Sequence, residues 1–274
     1  MSTNTRRAFS LVELMVVISL IALLIAILLP ALTKFRVSAN TALCNANLAG
    51  LFQGQTGYLV DNDNVFPASD RWVWSEARLP DGSNNTNRGN PTNLAGVVNG
   101  LIYEYYTVQT SYVCPVAAEV LPRQSNWTGP KLVRSYVMNW NLGPYGFDRQ
   151  SQSDEETLES IKDPAGMIVN CEENSFAMWN WNIFNSVGMN DGYFIAAPYD
   201  ALGSFHETGT GLDLSSRPPW YADSSEQASG ISYAVMADGH VRDVNYKGRT
   251  TARYGGRTKT WSEMFCRDSI ATEW

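Results

Sequence analysis

The chain opens with a block of hydrophobic positions that has no alternation in it. From Leu14 to Leu29 every residue is uncharged and nearly all are apolar, and Pro30 closes the run. Arg6 and Arg7 stand before it, and a single acid, Glu13, sits at its beginning. Roughly 20 apolar residues at a 1.5 Å rise cross a hydrocarbon core, so residues 9–32 suffice for one membrane-spanning helix. The arginine flank predicts a cytoplasmic N-terminus. A carboxylate in the apolar part of such a helix costs roughly 2.5–3.5 kcal/mol on insertion scales, which makes Glu13 a functional candidate.

Past Pro30 the pattern becomes helical rather than uniform. Leu43, Ala46 and Gly50, then Leu48, Leu51, Phe52 and Gln55, recur at steps of three and four. No Pro/Gly/Ser linker separates this stretch from the apolar run. The spacing predicts one helix over residues 9–59, bent near Pro30 because proline removes a backbone bond, and about 75 Å long at 1.5 Å per residue. Residues 33–59 are its amphipathic continuation, and Ala39, Ala42, Ala46, Ala49 and Gly50 offer a small-residue face for close packing.

From residue 60 to residue 274 shorter signals take over. Asp61-Asn62-Asp63-Asn64 ends the helix, and residues 81–93, rich in Asn, Gly, Thr and Pro, form a surface loop. Residues 94–106 predict a short helix. Tyr112-Val113-Cys114 predicts a strand stopped by Pro115, residues 135–139 a second strand, and residues 167–171 a central one. Ser153 and Glu156 form a capping box for an acidic helix over residues 153–161. Two alternating runs around Asp238-Gly239 predict a hairpin with a two-residue turn. A long helix followed by strands predicts an α+β fold, with a mainly antiparallel sheet laid against the helix.

Several processes use an N-terminus of this kind. A removed secretory signal accounts for the arginines, with Val37-Ser38-Ala39 as its cleavage site. A twin-arginine signal accounts for Arg6-Arg7-Ala8-Phe9. A plain single-pass anchor is a third reading. None of them uses Glu13. The stretch Ala8-Phe9-Ser10-Leu11-Val12-Glu13 resembles the cleavage and methylation motif of type IV pilins and type II secretion pseudopilins. The resemblance implies cleavage between Ala8 and Phe9 by a prepilin peptidase, with residues 1–8 as the leader, and N-methylation of Phe9. Ala8 stands where that family usually has Gly. Glu13 and Pro30 fall where it has its glutamate and its helix-kinking proline, which implies assembly roles for both. In a filament the new α-amine of Phe9 would sit beside Glu13 of a neighbouring subunit and set axial register, since an unpaired charge in low dielectric is heavily penalised.

Composition narrows the partners. The formal net charge is −7, and the basic residues are scattered, so nothing points to nucleic acid. Four cysteines, Cys44, Cys114, Cys171 and Cys266, are compatible with export and disulfides. They allow three connectivities, of which Cys44 with Cys114 would tie the helix to the domain, leaving Cys171 and Cys266 as the other pair. Unpaired buried thiols are the alternative. Asp61 and Asp63 offer oxygen ligands at alternate positions, as Ca2+ prefers, but the loop lacks the Gly and Glu of an EF-hand. A helix-ending polar turn explains them as well. His206 and His240 are the two histidines, and neither has a partner at metal-ligand spacing. No nucleophile elbow, phosphate loop or dinucleotide fingerprint is present, so no enzymatic activity and no cofactor other than calcium are expected. Residues 178–184 alternate aromatics with amides, and Trp220-Tyr221 follow a Pro pair. These suit a core strand, a partner contact or a glycan surface.

The second half also resembles large pseudopilin-like proteins that carry a CP element, an SYxMN element and a closing ADGHV element. Here these are Cys114-Pro115, residues 135–139 and residues 237–241, and residues 58–67 resemble a further stretch after the helix. Ala228 stands where those proteins often carry a His, ten residues before Asp238. The combined reading is a non-enzymatic subunit of a type IV pilus-like filament or a type II secretion pseudopilus. It would be a single-pass protein of the bacterial inner membrane, its domain periplasmic or extracellular. Its implied partners are other pilin-like subunits, a prepilin peptidase, an assembly ATPase and an inner-membrane platform. An exported, membrane-anchored binding protein, with glycans as one ligand class, is the alternative.

Overall fold

The computed structural model describes residues 10–74, 94–120, 132–139, 142–143, 157–161, 163–172, 193–194, 206, 231–246, 251–254 and 257–260. Helix α1 runs Leu11–Asp61 and contains Pro30. It is long and apolar enough to cross a membrane. Two compact units divide the chain, Met1–Asn40 and Thr41–Trp274. In the first, the large apolar side chains from Leu11 to Val37 are exposed, as lipid-facing groups would be.

In the second unit, the remainder of α1 buries Cys44, Asn47, Leu48, Leu51, Gln55 and Leu59, one face at three- and four-residue steps. This face is not the alanine face expected from the sequence, since Ala42 and Ala46 are exposed. Aromatic rings need more room than alanine methyls leave, and glycine supplies it. A Cβ at Gly54 would lie 2.7 Å from Tyr106 Cβ, and one at Gly50 would meet the Tyr106 hydroxyl. The Tyr106 ring packs 6.4 Å from Tyr112, which stacks on buried Trp72.

The helix ends as the polar run predicts. Asp63 and Asn64 take the left-handed conformation, and the Asn64 N–H reaches back to the Leu59 carbonyl at 2.9 Å. That is a Schellman-type closure with Asp63 in the left-handed position that Gly usually takes.

Helices α2 (Leu94–Val98) and α3 (Pro115–Val120) are short. The helix predicted over 94–106 stops early because the chain folds back on residues 71–74: Leu101 N–H bonds the Arg71 carbonyl, and Trp74 N–H the Gly96 carbonyl. The strand predicted at Tyr112–Cys114 is absent. A 3-10 turn covers Gln109–Tyr112, and Pro115 opens α3. Proline at a first helical position lacks only an N–H that would have no helical acceptor, so it starts this helix rather than stopping a strand. Leu158–Ser160 is a 3-10 turn where an acidic helix was expected. Ser153 and Glu156, its predicted cap, lie outside the described residues, as do the aromatic tract 178–184, Trp220 and Tyr221.

The described residues include seven strands: β1 (Tyr136–Asn139), β2 (Ile168–Glu172), β3 (Tyr193–Phe194), β4 (Ile231–Met236), β5 (Val241–Tyr246), β6 (Thr251–Tyr254) and β7 (Arg257–Thr260). They form one sheet in the order β3-β1-β2-β4-β5-β6-β7. Every pairing is antiparallel except β1 with β3. The architecture is α+β, with the long helix first and a mainly antiparallel sheet after it. Strands β1 and β2 are buried along their whole length, which explains their short apolar runs.

The β4–β5 hairpin forms where Asp238-Gly239 predicts it, but its loop is longer than two residues. Val235 pairs with Val241, Gly239 N–H bonds the Met236 carbonyl, and only Gly239 (φ +87°) has positive φ there. A type I turn followed by a left-handed glycine gives this bulged closure; a two-residue type I′ turn would need positive φ at both central residues. His240 closes the loop on itself through its N–H and ring Nδ1 to the Asp238 carboxylate.

Candidate functional site

Four side chains of metal-ligating type meet inside the second unit. Cys44 comes from α1, Cys114 from the residue before α3, Glu172 from the end of β2, and His206 from a bridge beside β4. Their donor atoms all lie within 4.8 Å of one another, and all four residues are buried. It is the one such group among the described residues.

Local structure explains how each arrives. On α1, Thr41, Cys44 and Asn47 follow at helical steps, so they share the docked face. Asn47 Nδ2 donates to the Val113 carbonyl at 3.1 Å, which draws the chain beside Cys114 against the helix. Cys114 N–H donates to Ser135 Oγ at 2.7 Å, and Ser135 N–H bonds the Tyr112 carbonyl at 2.9 Å, so the cysteine is pinned to the start of β1. Tyr136 and Glu172 are direct cross-strand partners. Their side chains therefore leave the same face of the sheet, towards α1. Alternation sends Cys171, the next residue, to the other face. His206 is held by two backbone bonds to Ile231, of 3.0 and 3.2 Å, with its ring edge-on to Tyr233 at 4.9 Å.

The contacts form a connected chain. Cys44 Sγ donates to Glu172 Oε1 at 2.8 Å, and that oxygen lies 3.0 Å from His206 Nε2. His206 Nε2 is 3.4 Å from Cys114 Sγ, and its Nδ1 is 3.3 Å from Thr41 Oγ1. The Tyr136 hydroxyl donates to Cys44 Sγ at 3.2 Å. The second carboxylate oxygen, Glu172 Oε2, is buried with no hydrogen-bond partner.

Electrostatics follow from this enclosure. Burial alone lowers the His206 pKa, but its contacts with Cys114 and Glu172 outweigh that and raise it to about 10. Burial pushes the Cys44 thiol far up, reinforced by Cys114 and the Glu172 charge. The Tyr136 phenol rises for the same reasons, burial first. Burial thus favours the neutral Cys44 thiol, while the Cys114 and Glu172 contacts favour the protonated His206 ring.

The candidate residues read from the sequence are distributed as follows. Ala8, Phe9 and Cys266 lie outside the described residues. Glu13 lies in the first turn of α1, where its Oε2 accepts the Ser10 N–H at 2.9 Å while Ser10 Oγ accepts the Glu13 N–H at 3.2 Å. This reciprocal pair is a capping box, a local role for the acid that the motif reading did not include. Pro30 is an interior residue of α1. Cys44 and Cys114 are brought together as thiols rather than as a disulfide, and Cys171 is buried on the opposite sheet face. Asp61 accepts a bond from the Tyr105 hydroxyl at 3.0 Å, and Asp63 belongs to the helix-ending turn, apart from the four-residue cluster. Sequence spacing assigned no ligand role to Glu172 or His206. The register of Tyr136 opposite Glu172 aims the carboxylate at Cys44, the bridge to Ile231 brings in His206, and no local spacing encodes either.

Residues 3–29 match the protein family described as Prokaryotic N-terminal methylation motif. The match marks the chain as a pilin-like or pseudopilin-like precursor of the kind a prepilin peptidase processes. Neither a curated protein nor a solved structure matches the chain.

Proposed function

We propose that this chain is a non-enzymatic structural subunit of a type IV pilus-like or type II secretion pseudopilus filament. The observation that carries the reading is the methylation motif at residues 3–29 running directly into one exposed apolar helix. Cleavage between Ala8 and Phe9 leaves a positive, N-methylated amine a few residues from Glu13. In a bundle of such helices the amine of one subunit pairs with Glu13 of the next. That pairing fixes register more than it adds net stability, because ion pairs in low dielectric nearly cancel their own desolvation cost. The inner membrane holds the subunit before assembly, the second unit faces the periplasm or the filament surface, and an assembly ATPase and membrane platform drive insertion.

Mass spectrometry of the mature N-terminus tests the processing step. A methylated Phe9 start is expected. A start at Asn40, or retention of Met1, overturns it. Site-specific crosslinking between position 9 of one chain and position 13 of another then tests assembly.

One observation favours a second reading. The Ser10–Glu13 capping box gives the acid a purpose in a plain membrane anchor. An anchored, exported binding protein would be processed or not, but would yield no crosslinked filament.

A further inference from the structure

We propose that Cys44, Cys114, Glu172 and His206 bind one Zn2+ ion as a closed, four-ligand structural site. The reading is independent of filament assembly and rests on the chemistry and placement of these donors.

Two thiols, one imidazole and one carboxylate are a zinc ligand set. Calcium and magnesium take oxygen ligands almost exclusively, and here only Glu172 offers oxygen. A tetrahedron with bonds of about 2.0–2.3 Å has edges of about 3.3–3.8 Å. The donor separations of 2.8, 3.0 and 3.4 Å, with none beyond 4.8 Å, bracket those edges. Opening the two carboxylate contacts by a few tenths of an ångström makes room for the ion.

The surroundings are those of a metal site. His206 presents Nε2 to the centre and its other ring nitrogen to Thr41 Oγ1, the arrangement that holds a ligating imidazole in one tautomer and orientation. The Tyr136 hydroxyl points at Cys44 Sγ and offsets thiolate charge. Glu172 Oε2, buried and without a partner, is an acceptor that the metal-free pocket leaves unserved. All four positions are filled by protein, so no site remains for water or substrate, and the ion acts as a clamp.

The clamp joins segments far apart in the chain. Cys44 and Glu172 are separated by 128 residues, Cys114 and His206 by 92. One ion thereby ties the docked half of α1 to both the sheet and the turn before α3. Ion binding displaces the protons of the two thiols and leaves the imidazole nitrogen free to ligate, and no electron transfer is involved.

The competing chemistry is a disulfide between Cys44 and Cys114. It would take from Glu172 the thiol hydrogen bond it now accepts and would leave the buried carboxylate with His206 as its cluster partner. The metal satisfies all four donors at once.

Full-length protein is extracted from membranes in detergent without chelators and its metal content measured by inductively coupled plasma mass spectrometry. About one zinc per chain is expected. Cys171→Ser should retain it; Cys114→Ser and His206→Gln should each fall to background. Exchange for Co2+ should give intense tetrahedral d–d bands with a thiolate charge-transfer band. In case the variants fail to fold, wild-type protein is alkylated before and after zinc removal. Cys44 and Cys114 should be protected only while zinc is bound. Metal-free protein whose mass is two hydrogens short, with a Cys44–Cys114 peptide, overturns the proposal. So does metal-free protein with both thiols reduced, or zinc that persists when both cysteines are replaced by serine.

Discussion

Glu172 Oε1 lies 3.0 Å from His206 Nε2, and both side chains are fully buried. The two residues belong to different segments, the end of β2 and the bridge to Ile231, so their contact exists only because the sheet places β2 beside β4. A buried pair of this kind is costly to break. Removing one partner strands the other without compensation, by about 3–5 kcal/mol, whereas replacing both with apolar groups is often close to neutral.

In zinc-free protein, His206→Leu is therefore expected to destabilise the fold by about 3–5 kcal/mol, and Glu172→Leu/His206→Leu by less than the sum of the single losses. Urea denaturation of the four proteins of this cycle measures the difference. Strict additivity would mean that the two groups do not act as a pair.

Thr41 holds the outer nitrogen of His206. Thr41→Val keeps the shape and removes the hydroxyl. Zinc affinity is expected to fall about 10–100-fold with little change in fold, the usual effect of losing a hydrogen bond behind a ligand. Competition with a chromophoric chelator reads this directly, and an unchanged affinity would show that Thr41 plays no part in orienting the imidazole.

Glu13 has two uses, one local and one between subunits, and two substitutions separate them. Gln can replace Glu in a capping box, while Ala cannot. Glu13→Gln should keep the helix start intact, as judged by circular dichroism in micelles, yet lose incorporation into filaments. Glu13→Ala should lose both. If Glu13→Gln assembled as well as the native chain, the charge would be irrelevant to register.

The glycines of α1 admit Tyr106. Gly54→Ala brings a methyl to 2.7 Å from Tyr106 Cβ, an atom too close to the backbone to swing away. The expected loss is about 1–3 kcal/mol, as for other overpacked cores. Combining it with Tyr106→Gly, which removes that Cβ, should recover part of the loss. A melting temperature equal to the native one in Gly54→Ala would contradict the packing described.

What local pattern can encode was legible in the residues. The apolar run became a helix long enough to cross a membrane, its polar terminus became a cap at Asp63 and Asn64, and the alternating runs beside Asp238-Gly239 became a hairpin. The apolar segments at 136–139 and 168–172 became buried strands. Pro115 misled, since the same residue that stops a strand also starts a helix, and the choice depended on the Cys114–Ser135 bond across the domain. The docked face of α1 was legible only in part: Gly50 of the small-residue face is buried, but Ala42 and Ala46 are exposed, because tyrosine rings seat over the glycines instead.

Membrane partition depends on the summed transfer energy of neighbouring residues, so the N-terminal helix and its processing signal were determined by the sequence alone. The zinc-ligand cluster was not. Its four donors have no common spacing, and they converge because antiparallel register sets Glu172 opposite Tyr136 and the helix lays Cys44 over both. Strand register is a property of the packed sheet, and only the tertiary structure decides it.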